Sequence, residues 1–193
     1  MSPLTVAASC DTRDALAKGM YSSNFRWLVK RINSIINISE PANSIGILDI
    51  FGFEVLKVNS FEQLCINFAN ENLQFYFNQH IFRLEQEEYE REGINWRKID
   101  FSDNQPCLDL IAKRPVGILH MLDDETNFPK GSDEAFLNKV TTQHKKDKCF
   151  AARGAKTRAL EFGINHYAGL VNYATMDFLD KNRDRMRDEV FQV

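Results

Sequence analysis

The chain has 193 residues, 44% hydrophobic and 26% charged, with a net charge of −3. That length suffices for one domain with a sizeable core, and the charge balance excludes the strong basic excess of a nucleic-acid binder. No run of about 18 apolar residues offers a membrane span.

The N-terminus has neither the basic start nor the apolar stretch of a signal peptide. Cys10, Cys65, Cys107 and Cys149 form no C-x-x-C pair, which fits reduced thiols in a cytoplasmic chain better than a zinc site or a disulfide framework. Fifteen phenylalanines imply large apolar surfaces that must meet something.

In chain order, the pattern predicts a helix from Pro3 to about Ile38, with Ser2 as cap and Pro3 at the first helical position. Leu16, Met20, Trp27, Leu28, Ile32, Ile35 and Ile36 recur at helical spacing. "SEPANS" (39–44) breaks the pattern, and an apolar strand is expected over 45–50, ending in Asp49. A second helix should begin at Ser60, where Ser60 and Gln63 make a capping-box pattern. Its apolar stripe, Phe61, Leu64, Phe68, Phe75, Tyr76 and Phe82, is expected to be core. No breaker occurs before Gly93, so about 33 residues would form a rod of roughly 50 Å.

Short helices are expected at about 107–113 and 116–125, then a turn at "NFPKG" and a helix from Ser132 to about His144. The basic loop "HKKDKCFAARGAKTR" leads to a small hairpin around Ala168 and Gly169, and the end returns to helix.

"LDIFGFE" carries the chemistry. A carboxylate at the carboxyl end of a strand, Asp49, can hold a metal-bound water. Gly52, three residues on, lets the backbone approach a γ-phosphate and donate its N–H. A strand that merely ends in a turn would look the same. The phosphate-cradling G-x-x-x-x-G-K-[ST] is absent from the sequence, since "GAKT" (154–157) has Ala155 and Phe150 where glycines are required. His80, His120 and His166 lack metal-ligand spacing and read as packing residues. By residue type alone, Met121, Leu122, Phe128 and Pro129 at the helix–turn–helix tip also read as core, and the basic run reads as a solvated loop.

"DIFGFE" followed by "NSFEQLCINFANENLQFYFNQHIFRLEQEEYEREGINW" closely resembles switch II and the relay helix of the myosin motor domain. The resemblance continues upstream in "DTRDALAKGMYSSNFRWLVKRIN", and downstream in "GILHMLDDETNFPKGSDEAFLNKV" and "FGINHYAGLVNYATMDFLDKNRD". "EGINW", "DNQPCLDLI" and "QHKKD" point to an unconventional myosin.

This resemblance implies a mainly α fold with a small β component, a partial P-loop NTPase fold lacking the phosphate loop and most of the central sheet. It divides the chain into a helix before switch II (1–44), a strand with switch II (45–54), the relay helix and loop (59–106) and an actin-binding lower subdomain (107–193). Asp49 would hold magnesium through water, Gly52 would meet the γ-phosphate, and Glu54 would pair with an Arg of switch I that this sequence lacks. Phe51 and Phe53 would flank the switch hinge, with Asn70, Glu71, Phe77, Asn78 and Trp96 as relay residues. Met121, Leu122, Phe128, Pro129 and Lys130, with Lys145, Lys146 and Lys148, would meet actin.

The cofactors implied are ATP and Mg2+ in the complete motor and none for this chain by itself, which should not hydrolyse ATP. The implied partners are the actin filament, the remainder of the head, the converter and light chains, with no nucleic acid or membrane segment, in a cytoplasmic, cytoskeletal setting. The alternative is a stand-alone, non-catalytic actin-binding module derived from such a head. Two departures from the family pattern, Gly19 and Asn24, should weaken the first helix, Gly19 by about 1 kcal/mol. Gly131, where relatives often carry Ala, should loosen the tip.

Overall fold

The computed structural model describes residues 5–36, 43, 45–95, 103–151 and 160–183. They fall into two compact units, the described residues up to Asp49 and the span Ile50–Arg183.

In the first unit, α1 (Val6–Ile36) forms as its periodicity requires and runs through Gly19 without a break. The capping pair Ser2 and Pro3 lies outside the described residues. Residues 45–50 do not form the expected strand. They run without regular structure, and Ile47 is 93% exposed. A strand exists only through ladder hydrogen bonds to a neighbour about 4.8 Å away, and among the described residues nothing pairs with this segment.

The second unit opens with an irregular segment (50–58) and then α2 (Phe61–Phe77), a π-helical turn (Asn78–Phe82) and α3 (Arg83–Arg91). The expected single rod is therefore interrupted in its middle. Its end matches expectation, because Gly93 adopts φ +67°. Ile94 N–H donates to Tyr89 O at 2.9 Å and Gly93 N–H to Glu90 O at 3.3 Å, the paired bonds of a glycine-terminated helix.

The start differs from expectation. Ser60 occupies the N-cap but its hydroxyl makes no capping bond; it accepts from Lys181 Nζ at 2.9 Å. Gln63 turns to the Glu54 carbonyl and Asn67, so tertiary partners outcompete the local box.

The buried face of α2 is only in part the expected stripe: Leu64 is in the core, but polar residues share that face. Gln63, Leu64, Asn67 and Glu71 are buried, Asn78 continues the row in the π-turn, and Tyr76 is 60% exposed. Phe61 and Phe68 pack at the margin of the core.

α4 (Gln105–Ala112), α5 (Ile118–Asn127), α6 (Asp133–His144) and α7 (Phe178–Asn182) surround a three-stranded antiparallel sheet of order β1–β2–β3. Its strands are β1 (Phe150–Ala151), β2 (Glu161–His166) and β3 (Gly169–Ala174). The hairpin turns through Tyr167 and Ala168, with His166 paired to Gly169. Ser132 caps α6 as its residue type predicts, its Oγ accepting from Ala135 N–H at 3.1 Å. Leu64, Ile111, Ile118, Leu122, Phe136, Val140, Phe162, Ile164, Tyr173 and Phe178 form one core. The described residues are thus mainly α with a small antiparallel sheet.

Candidate functional site

Three side-chain amides on one face of α2 hold the segment that contains Gly52. Asn67 grips the backbone of Glu54 at two points: its Oδ1 accepts from Glu54 N–H at 3.1 Å and its Nδ2 donates to Glu54 O at 2.9 Å. Gln63 Nε2 reaches the same carbonyl at 3.5 Å. One turn further, Asn70 Nδ2 donates to Phe51 O at 2.9 Å. Positions 63, 67 and 70 share a face at helical spacing, so one rigid helix holds the chain on both sides of Gly52.

Gly52 itself is exposed, and a Cβ built on it would meet nothing within 4 Å. Its backbone is open to an approaching group. The two flanking aromatics behave differently. Phe53 is half-buried, its ring meeting His166 and Tyr167 edge-on at 5.2 and 5.4 Å, whereas Phe51 is 73% exposed. The side chains of Asp49 and Glu54 are exposed.

Beneath this clamp lies a buried polar chain. Asn67 Nδ2 also donates to Tyr173 Oη at 3.0 Å, Tyr173 Oη lies 2.8 Å from His166 Nε2, and His166 Nδ1 lies 2.8 Å from Glu71 Oε2. The fully buried Glu71 carboxylate accepts further from Asn104 Nδ2 at 2.8 Å and from Tyr167 N–H. Along the chain Asn67–Tyr173–His166–Glu71, donors and acceptors match when Nδ1 carries its proton toward the carboxylate and the Tyr173 hydroxyl donates to Nε2. Burial pushes the Tyr173 hydroxyl well above its ordinary range, so it stays a donor at neutral pH. Burial, with a smaller contribution from Glu71, likewise pushes up the Cys107 thiol.

Glu71, Cys107 and His166 place a ligand atom each within 4.8 Å of one another, a spacing that a metal ion would fit. Glu71, however, is already ringed by fixed N–H donors. The arrangement therefore works as a hydrogen-bonded network that rigidifies the joint between α2 and the hairpin.

Of the other expected relay residues, Asn78 is buried and accepts from Gln74 at 3.0 Å. Phe77 is exposed and meets Phe82 across the π-turn. Trp96 lies outside the described residues. An open cleft runs along the π-turn between Asn70, Phe77, His80 and Tyr167.

The second expected site is the α5–α6 tip. Phe128 is 57% exposed, Pro129 and Lys130 are exposed, and Met121 is half-buried. Leu122, expected among the contact residues, is fully buried and belongs to the core. It lies a full turn and a half inside α5, where the apolar face points inward.

At Gly131, two backbone segments of the tip approach closely. A Cβ there would collide with the Glu125 carbonyl oxygen, so the close approach of the two backbones requires glycine. Lys145, Lys146 and Lys148 are exposed, while Arg153, Lys156 and Arg158 lie outside the described residues. His144, expected in this basic loop, is buried with Nε2 2.8 Å from Val116 O. His120 and His166 are packed as expected, but His80 is exposed, its ring 4.4 Å from that of Tyr76.

Sequence reasoning missed Asn67, Asn104, Tyr173, Glu125 and Lys139, and read His166 as packing without its place in the polar chain. One signal was present: Gln63, Asn67, Asn70, Glu71, Gln74 and Asn78 form a polar row at helical spacing beside the aromatic stripe.

The sequence matches the family model of the myosin head (motor domain) over residues 1–193. It is 55% identical over 190 residues to the myosin-I heavy chain of Dictyostelium discoideum, covering 97% of this chain and 8% of that protein. Identity is 54% over 192 residues to myosin-2 of Arabidopsis thaliana, covering 98% of this chain and 15% of that protein. For unconventional myosin-XV of Homo sapiens it is 49% over 192 residues, covering 100% of this chain and 5% of that protein. The chain thus spans only a small part of the length of these relatives.

Proposed function

This chain belongs to the myosin head family, and from that premise we propose that it forms the switch II, relay and lower actin-binding portion of an actin-based, ATP-driven motor. The observation that carries the reading is the clamp of Asn67 and Asn70 on the backbone either side of Gly52. A displacement of the Gly52 segment cannot occur without either breaking these bonds or moving α2. The π-turn at Asn78–Phe82 gives the helix a place to bend. A small change at the switch becomes a swing of α3.

Magnesium–ATP, when bound in the complete head, would supply the phosphate whose presence or absence sets the switch. The exposed Gly52 backbone fits a phosphate contact, and the exposed Asp49 carboxylate fits the water-mediated magnesium role, since that ion keeps waters and takes few carboxylates. Asp49 would hold the ion's water, Gly52 would donate its N–H, and Glu54, fixed by its backbone, would present its carboxylate to an arginine elsewhere in the head. Phe53 anchors the hinge on the hairpin, while the Phe51 side chain stays exposed and its carbonyl is held by Asn70. Phe128, Pro129 and Lys130, flanked by Met121 and the lysines at 145, 146 and 148, would meet the filament, with Leu122 supporting them from beneath. This assignment places the chain in the cytoskeletal compartment, with the converter and light chains as further partners.

Gly52→Ala in the complete head tests the reading. The open space at this position means the methyl group has no neighbour to disturb, so melting temperature should not change. The added methyl blocks the phosphate's approach to the backbone, and actin-activated ATP hydrolysis should fall at least about 100-fold, the scale of losing one preorganised transition-state donor. Unchanged hydrolysis would refute the switch assignment. The stand-alone, non-catalytic actin-binding reading draws on the self-contained core of residues 50–183. It would prevail if the 193-residue chain melted cooperatively as a monomer and bound filaments without nucleotide dependence.

A further inference from the structure

The exposed Phe128–Pro129 tip is held by a buried carboxylate that cannot itself touch a partner. Glu125 is 2% exposed. Its Oε2 accepts from Lys139 Nζ at 2.5 Å, across from α5 to α6, and its Oε1 faces Ser132 N–H at 3.4 Å. Its backbone carbonyl accepts from Phe128 N–H at 3.1 Å and lies against Gly131. Lys139 is more than half exposed and stands 5.5 Å over the Phe128 ring. One lysine thus bridges a buried anion below and the face of an exposed aromatic ring above. Phe128 has few other restraints, being more exposed than covered.

We propose that Glu125 and Lys139 are positioning residues for the filament contact: the buried carboxylate fixes the ammonium, and the ammonium fixes the orientation in which the Phe128 ring is presented. This rests on the reading of the tip as an actin-contact surface. A preorganised aromatic anchor binds more tightly than a mobile one because its ordering cost is met before contact, and a cation over the ring face is itself attractive. Guanidinium can serve the same two partners, so arginine should substitute for Lys139.

The mechanism separates cleanly from a direct lysine contact with the filament. If Lys139 acted by touching an acidic partner surface, freeing it from Glu125 would leave binding unchanged or strengthen it. If Lys139 acts by orienting Phe128, freeing it must weaken binding.

The test is co-sedimentation of the nucleotide-free motor head with actin filaments for Glu125→Gln, Lys139→Met, Lys139→Arg and Phe128→Ala, and for Glu125→Gln combined with Phe128→Ala. The proposal expects Glu125→Gln and Lys139→Met each to raise Kd by about three- to tenfold. Lys139→Arg should remain within about twofold of the parent, and Glu125→Gln should add less than about twofold once Phe128 is gone. Unchanged or tighter binding by Glu125→Gln overturns the positioning role. An equal loss with and without Phe128 also overturns it, because the effect would then be general destabilisation, while the tip remains the contact. Parent-like binding by Phe128→Ala removes the tip from the contact and the positioning role with it.

Discussion

Replacing Asn67 by Ala removes the centre of the clamp, and the geometry sets the size of the effect. Asn67 is fully buried. Its amide serves Glu54 N–H, Glu54 O, Gln63 and Tyr173 Oη. The two Glu54 groups lie on an exposed residue and can return to water, so each bond should contribute about 0.5–1 kcal/mol. Tyr173 Oη is buried and would lose a donor with no water to replace it, at about 1–2 kcal/mol. The sum is about 3 kcal/mol, which in a protein of this size lowers Tm by roughly 6–12 °C. The local readout is sharper than the melt: amide hydrogen exchange at Glu54 should accelerate markedly, because the acceptor that protects it is gone. Asn70→Ala provides the contrast. It removes the donor to Phe51 O, on an exposed residue, and to Ile66 O within α2, and should cost about 1–2 kcal/mol while leaving Glu54 protected. An Asn67→Ala protein with unchanged Tm and unchanged exchange at Glu54 would refute the clamp.

Other outcomes follow from the same geometry. Glu71→Gln puts an NH2 group among Asn104, Tyr167 N–H and His166 Nδ1, all of which point donors at that site. It should destabilise by about 3 kcal/mol in thermal melts. Gly131→Ala forces a methyl group onto the Glu125 carbonyl, and should cost about 1–3 kcal/mol and weaken filament binding. Alkaline pH should destabilise the fold through Cys107 and Tyr173, whose folded-state pKa values burial raises. Their contribution is fully present below the unfolded thiol range near about 8.5. Above it the unfolded chain loses its proton first and stability falls, at up to about 1.4 kcal/mol per pH unit per group. Cys107→Ser should flatten the first part of that decline in a pH series of urea melts.

Much of this protein is legible in its amino-acid order. The long apolar periodicity of α1, the hydroxyl cap at Ser132 and the glycine stop at Gly93 are local signals, and each formed where expected. The succession of motifs around "DIFGFE" carries the family resemblance without any spatial information. The tip turn at "NFPKG" and the hairpin around Ala168 and Gly169 were equally legible, since turn chemistry acts over a few residues.

Helices, caps, turns and the motif string have their partners within a few residues, so local chemistry is enough to specify them. Which face of α2 is buried was settled by tertiary packing instead. Aromatic residues at helical spacing advertise area available for burial, but Gln63, Asn67 and Glu71 went inside because their partners arrive from far along the chain, Tyr173 from 106 positions away and His166 from 95. A buried polar side chain is tolerated only when such partners are in place, and no local pattern reports them. For the same reason Ser60 gave its hydroxyl to Lys181 rather than to its own helix, and Glu125 became the hidden support of Phe128. The segment 45–50 shows the converse: its residues favour a strand, but a strand needs a neighbour, and none of the described residues supplies one.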